Sequence, residues 1–160
     1  MRGGSSQKKQ SKETSRRRQK LGNGCGGFST KIHAVADAKG RLLDFVLTGG
    51  NGSDAKNGPR LADRALLHSP GALCADKAYD SKAVIERVLA AKAQPIIPSK
   101  RNRKNPRLWG AEERTLYRQR NRIERLFARL KAWRRICLRA DKRACSFASF
   151  VWIASAMDWL

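Results

Sequence analysis

Acidic residues are scarce in this sequence. Its 160 residues hold 13 Asp and Glu against 35 Lys and Arg, for a formal net charge of +22 and a pI near 11.1. A chain this basic usually meets a polyanion; nucleic acid is the commonest one and an anionic membrane surface the competing partner. Long apolar runs are also lacking. The longest, residues 147–160, is interrupted by Asp158 and is too short to span a bilayer. The N-terminus is a polar Gly/Ser/Lys run where a signal peptide would need an apolar core. Cysteine and histidine are few and scattered: Cys25, Cys74, Cys137 and Cys145 form no CxxC pair, and His33 and His68 stand alone. A cysteine zinc site is therefore not indicated, and reduced thiols in a soluble, cytoplasmic protein are the expectation. Internal repeats are absent.

What is present is enough for one α/β domain. Apolar residues make up 41% of the chain, which suffices for a core. The positive charge sits at the flanks: residues 1–31 carry a net +8 and residues 100–143 a net +13, whereas residues 32–99 carry only +2. Residues 1–27, rich in Gly, Ser, Gln, Lys and Arg, read as a basic flexible arm. Alternation from Phe28 to Ala36 predicts a strand, Asp37-Ala-Lys-Gly40 a turn, and residues 42–47 a second strand that closes a hairpin. A helix is expected over residues 59–67 with Pro59 in its first turn. Ala72-Leu-Cys-Ala75 reads as a buried, central strand ending at Asp76. A helix over 81–92 follows, with Val84, Ile85, Val88 and Leu89 facing inward and Asp80 as its cap. Residues 95–98 form a short strand, 99–110 a basic loop, 112–138 one long helix and 146–160 a last apolar helix. The order β-β-α-β-α-β-α-α predicts a mixed sheet with flanking helices.

On the long helix, Tyr117, Arg120, Glu124 and Lys131 recur at steps that bring them within an arc of about 60°. Leu116, Ile123, Leu126, Phe127, Leu130 and Trp133 form the adjacent apolar stripe, and Arg118, Arg122, Arg125 and Arg129 the outward face. Taken alone, Glu124 need only pair with Arg120 at i, i−4. Asp76 changes that balance. An acid at the C-terminal end of a strand lies where open α/β sheets place their ligands, and two carboxylates meeting there suit Mg²⁺.

These residues carry a family resemblance. Ala75-Asp-Lys-Ala-Tyr-Asp80 resembles the second-aspartate motif of the DDE insertion-sequence transposases, and Tyr117-x2-Arg120-x3-Glu124-x6-Lys131 is similar to their glutamate signature at all four positions. Ser29-Thr-Lys-Ile-His33, Leu47-Thr-Gly-Gly50 and Ile97-Pro-Ser-Lys-Arg-Asn102 look like the insertion-sequence-four/five group. The resemblance spans about residues 26–160. It implies an RNase H-like transposase domain over 28–160, with Asp76 and Glu124 as catalytic carboxylates and metal ligands for Mg²⁺. It assigns Tyr117, Arg120 and Lys131 to DNA binding near the cleaved end. The implied partner is double-stranded DNA, meaning transposon terminal inverted repeats and target DNA, with no membrane and with nucleoid association in a prokaryotic cytoplasm.

The family's first aspartate lies on the strand before the hairpin, and residues 1–27 hold neither an aspartate nor a strand pattern. Asp37 falls in the hairpin turn and Asp54 in the loop after it, where a turn or cap role suits it best. The chain thus reads as the C-terminal part of such an enzyme, lacking the first strand. It would be either a downstream frame fused by frameshifting or a decayed remnant, with a homodimer or fusion to an upstream frame as the expected assembly. A metal-dependent transposase and a non-catalytic binder or repressor at transposon ends are the two functions to separate; for a third, an RNA- or ribosome-associated protein, only the charge speaks. His33 reads as a structural histidine. Trp109, Trp133, Trp152 and Trp159 read as core or anchor residues, with Trp109 also placed to stack on a base.

Overall fold

The computed structural model describes residues 13–24 and 27–159. It is a mixed α/β structure with two small sheets. The strands are β1 (Gly22–Gly24), β2 (Gly27–Ala36), β3 (Leu42–Gly49), β4 (Ala72–Cys74) and β5 (Gln94–Ile96). The helices are α1 (Asp54–Leu66), α2 (Lys82–Ala90), α3 (Ala111–Arg118), α4 (Asn121–Ala132), α5 (Arg134–Cys137) and α6 (Ala144–Met157). A 3-10 turn, Lys77–Tyr79, lies between β4 and α2. Among the described residues no helix is long and apolar enough to cross a membrane.

The chain divides into two compact units. One comprises His33–Val46 and Ser53–Ala128; the other comprises the described parts of Met1–Ile32, Leu47–Gly52 and Arg129–Leu160. In the first, Ala62, Val84, Ile85, Val88, Ala93 and Ile97 form a core against which Leu66, Leu73 and Ala75 pack. The α2 expectation holds for Val84, Ile85 and Val88, but Leu89 points outward at 56% exposure. Ser81, not Asp80, caps α2, its hydroxyl accepting from the Val84 N–H at 3.3 Å. Strand β4 is only half-buried and pairs in parallel with β5 in a separate two-stranded sheet, so it is not the central strand expected. Helix α1 starts five residues before Pro59, because Asn57 bonds back to the Ser53 carbonyl and fixes the first turn. Asp37 builds the hairpin turn, accepting from the Lys39 and Arg41 N–H groups, while Gly40 takes φ +83°, a conformation glycine adopts without strain.

The second unit buries Leu130, Ile136, Phe147, Val151 and Ala154. Residues 13–24, expected within a flexible arm, are structured: 13–18 are helical and β1 pairs antiparallel with β2, Asn23 opposite Phe28. A strand therefore does precede the hairpin, contrary to expectation. Gln19 joins this unit through its carbonyl, which accepts from Arg139, and through its side-chain oxygen, which accepts from the Ala144 N–H at the start of α6. Residues 1–12, the rest of that arm apart from 25–26, lie outside the described residues. Trp133, Trp152 and Trp159 are 40–51% exposed and so are not core residues.

The single helix expected over 112–138 is three helices. Neither interruption involves Gly or Pro. Between α3 and α4 the hydrogen bonds contract to the i−3 pattern: Gln119 to Leu116, Arg120 to Tyr117, Arg122 to Gln119 and Ile123 to Arg120. At Trp133 the backbone turns extended, with ψ 106°.

A candidate carboxylate site bridged by arginine

Asp76 follows β4 directly. The parallel ladder ends with the Ala75 N–H on the Ile96 carbonyl at 3.2 Å, which sets the height at which Asp76 leaves the sheet. There Asp76 opens the 3-10 turn, its Oδ1 accepting from the Lys77 N–H at 2.6 Å. Its carboxylate remains about half exposed. Arg120 sits at the contracted step between α3 and α4, where residues three apart eclipse. That contraction lays its guanidinium 5.7 Å from the Tyr117 ring centroid. From there Arg120 donates to Glu124 Oε1 at 2.8 Å and lies 3.8 Å from Asp76 Oδ2. One cation thus bridges two carboxylates that come from a strand end and a helix.

Of the five residues that sequence singled out, the structure brings together Asp76, Arg120, Glu124 and Tyr117. Trp109 packs on Tyr117, ring centroids 5.0 Å apart, and backs the aromatic side of the site. Burial raises the Tyr117 hydroxyl pKa, the Arg120 charge lowers it, and the net shift is upward. Lys131, in the last turn of α4, is exposed and belongs to the other unit. Among the described residues, no group of three or more His, Cys, Asp or Glu is placed to hold a metal.

Two polar clusters that sequence reasoning misjudged flank Asp76. Asp54, read as a turn or cap residue, accepts from the Tyr79 hydroxyl at 3.2 Å, and its Oδ1 also lies 3.2 Å from His33 Nδ1. The same His33 nitrogen is 3.3 Å from the Tyr79 hydroxyl, closing a triangle around a histidine that is 2% exposed. Burial, the charge and hydrogen bond of Asp54, and the charge of Asp76 all push the Tyr79 phenol up, so it stays a protonated donor at neutral pH. Asp80, read as a helix cap, instead anchors the basic loop: it accepts from the Lys100 N–H at 2.8 Å, from Arg107 at 2.8 Å, and from Arg103. Burial would raise its pKa, but those hydrogen bonds and the two guanidinium charges outweigh burial and hold it below the usual carboxylate range. A short helix after Asp80 offered a local explanation for the acid. Nothing local could have announced partners 23 and 27 residues away.

Comparison with known proteins places the chain. The model of the transposase DDE domain family matches residues 1–159, and the chain belongs to that family. A Brucella ovis protein named "Putative transposase for insertion sequence element IS6501" is 37% identical over 136 residues, covering 83% of this chain and 99% of that protein. No solved structure matches the chain.

Proposed function

We propose that this chain acts on DNA as the Asp76- and Glu124-bearing part of an insertion-sequence transposase, with Mg²⁺ as the cofactor. The observation that carries the reading is the Arg120 bridge. Asp76 and Glu124 both reach the one Arg120 guanidinium, so the two carboxylates face a common position that a cation already occupies. Both are hard oxygen donors left partly open to solvent, as Mg²⁺ prefers when it keeps waters for a phosphate ligand. When bound, such ions activate the attacking oxygen and stabilise the leaving one in phosphodiester cleavage and strand transfer.

In this reading the chain's own residues divide the work. Asp76 and Glu124 hold the cation, and Arg120, once released, turns its fork toward a DNA phosphate. Tyr117 and Lys131 contact the DNA backbone near the cleaved end, with Trp109 holding the Tyr117 ring in place. An RNase H-like arrangement supplies a further aspartate from the strand beside β2, and β1, Gly22–Gly24, offers none. In this reading the third carboxylate comes from an upstream frame fused to this chain.

Among the described residues no third acid joins Asp76 and Glu124, which supports a second reading, a DNA binder that occupies transposon ends without cutting them. Cleavage assays separate the two. The chain alone should bind terminal-repeat DNA and nick it little with Mg²⁺ or Mn²⁺. Fusion to a segment supplying a strand that ends in aspartate should restore nicking, and Asp76→Asn or Glu124→Gln should abolish it with DNA affinity nearly unchanged. A fusion that binds but never nicks leaves the binder reading standing.

A further inference from the structure

We propose that Tyr79 is a positioning residue whose hydroxyl, held by Asp54 and lying against His33, fixes the turn that carries Asp76. The inference rests on the reading of Asp76 as a metal ligand. Asp76 and Tyr79 are the two ends of one 3-10 turn, closed by the Tyr79 N–H on the Asp76 carbonyl at 2.9 Å. The Asp76 end is solvent-exposed, and its side chain meets the Lys77 N–H and Arg120. The Tyr79 end is where the turn gains its rigidity. Its ring lies against α1 at Gly58, where an added Cβ would sit 3.3 Å from Tyr79 Cδ1. Its hydroxyl enters a polar triangle drawn from two other elements, His33 of β2 and Asp54 at the first residue of α1.

The triangle closes around the buried His33 with Asp54 and Tyr79 half-buried, and its hydrogen bonds hold its shape because a buried polar group left unpaired costs its own desolvation. One residue beyond, Asp80 is clamped by the basic loop, so the segment is held from behind at two points while Asp76 faces outward. Outer contacts of this kind orient a ligand without touching the ion. Removing the Tyr79 hydroxyl frees the turn and lets the Asp76 carboxylate sample positions that cannot meet Glu124.

The test uses the whole 160-residue chain with two readouts: Mn²⁺ affinity by paramagnetic resonance, and the exchange rate of the Lys77 amide, which reports the Asp76 side chain directly. Tyr79→Phe keeps the ring and removes the hydroxyl. It should weaken Mn²⁺ binding about tenfold and speed Lys77 exchange about fivefold, with DNA affinity close to wild type. Asp54→Ala should do the same, whereas Asp54→Asn, which keeps the accepting oxygen, should restore both readouts. Tyr79→Phe within twofold of wild type in both readouts would overturn the proposal. So would Asp54→Asn behaving like Asp54→Ala, because the hydroxyl's acceptor would then be irrelevant. Mn²⁺ affinity unchanged in Asp76→Asn would defeat the metal reading separately, and Lys77 exchange would still decide the tether.

Discussion

Replacing Arg120 with Gln should tighten metal binding while weakening DNA binding, opposite effects from a single change. In the structure Arg120 is the counter-cation of the carboxylate pair, so any metal must displace it. The Glu124 pair is a partly exposed i, i+4 contact contributing about 0.3–0.5 kcal/mol, and the 3.8 Å approach to Asp76 adds no more than that. Their combined loss, about 0.5–1 kcal/mol, corresponds to roughly two- to fivefold tighter Mn²⁺ binding. Gln keeps comparable length and hydrogen-bonding capacity without the charge. On DNA the same variant loses one phosphate partner, so the log–log salt slope should fall by about 0.9. Mn²⁺ titration by paramagnetic resonance and DNA anisotropy at several salt concentrations measure the two effects. If Mn²⁺ affinity falls or stays unchanged, Arg120 orders the carboxylates instead of competing with the metal, and the displacement argument fails.

Three further expectations follow from particular contacts. Removing residues 1–12 takes away four basic residues and should weaken DNA binding with the melting temperature unchanged; removing 1–20 also deletes Gln19, the partner of Arg139 and of the Ala144 N–H, and should cost about 2 kcal/mol in thermal unfolding. Asp80→Asn should destabilise the chain by about 3 kcal/mol, since two arginines lose a buried partner. Because the folded Asp80 pKa lies below its ordinary value of 3.8, its contribution is present above about pH 4 and is lost as pH falls through the folded value; in Asp80→Asn that part of acid unfolding should disappear. DNA binding as a whole should weaken steeply with salt, at about −0.9 per phosphate contact in log–log slope, and a flat response would remove the basic flanks as the binding surface.

Much of this fold was legible where side chains carry a periodic signal. Helix α2 shows it well: Val84, Ile85 and Val88 inward follow from spacing, whereas the cap was read one residue early, at Asp80 in place of Ser81. Strand β2 was likewise readable from its alternation. Strand β1 was not, since Gly-Asn-Gly pairs through backbone groups and has no apolar pattern to detect. The breaks at Gln119–Arg120 and Trp133 lie in sequence that propensity alone would keep helical, and only the hydrogen-bond pattern marks them. For the candidate site, spacing foresaw that Arg120 and Glu124 meet, because i, i+4 geometry nearly dictates it. The Asp54–His33–Tyr79 triangle and the Asp80 clamp depend on long-range packing, to which no local rule gives access.

The most direct test of the account is the Mn²⁺ stoichiometry of the intact chain compared with Asp76→Asn, Glu124→Gln and the double variant, followed by paramagnetic resonance. One bound ion in wild type, lost in each single variant with no further loss in the double, is the predicted result. Mn²⁺ bound with unchanged affinity after either substitution would mean that Asp76 and Glu124 do not share an ion, and the proposed site would be wrong.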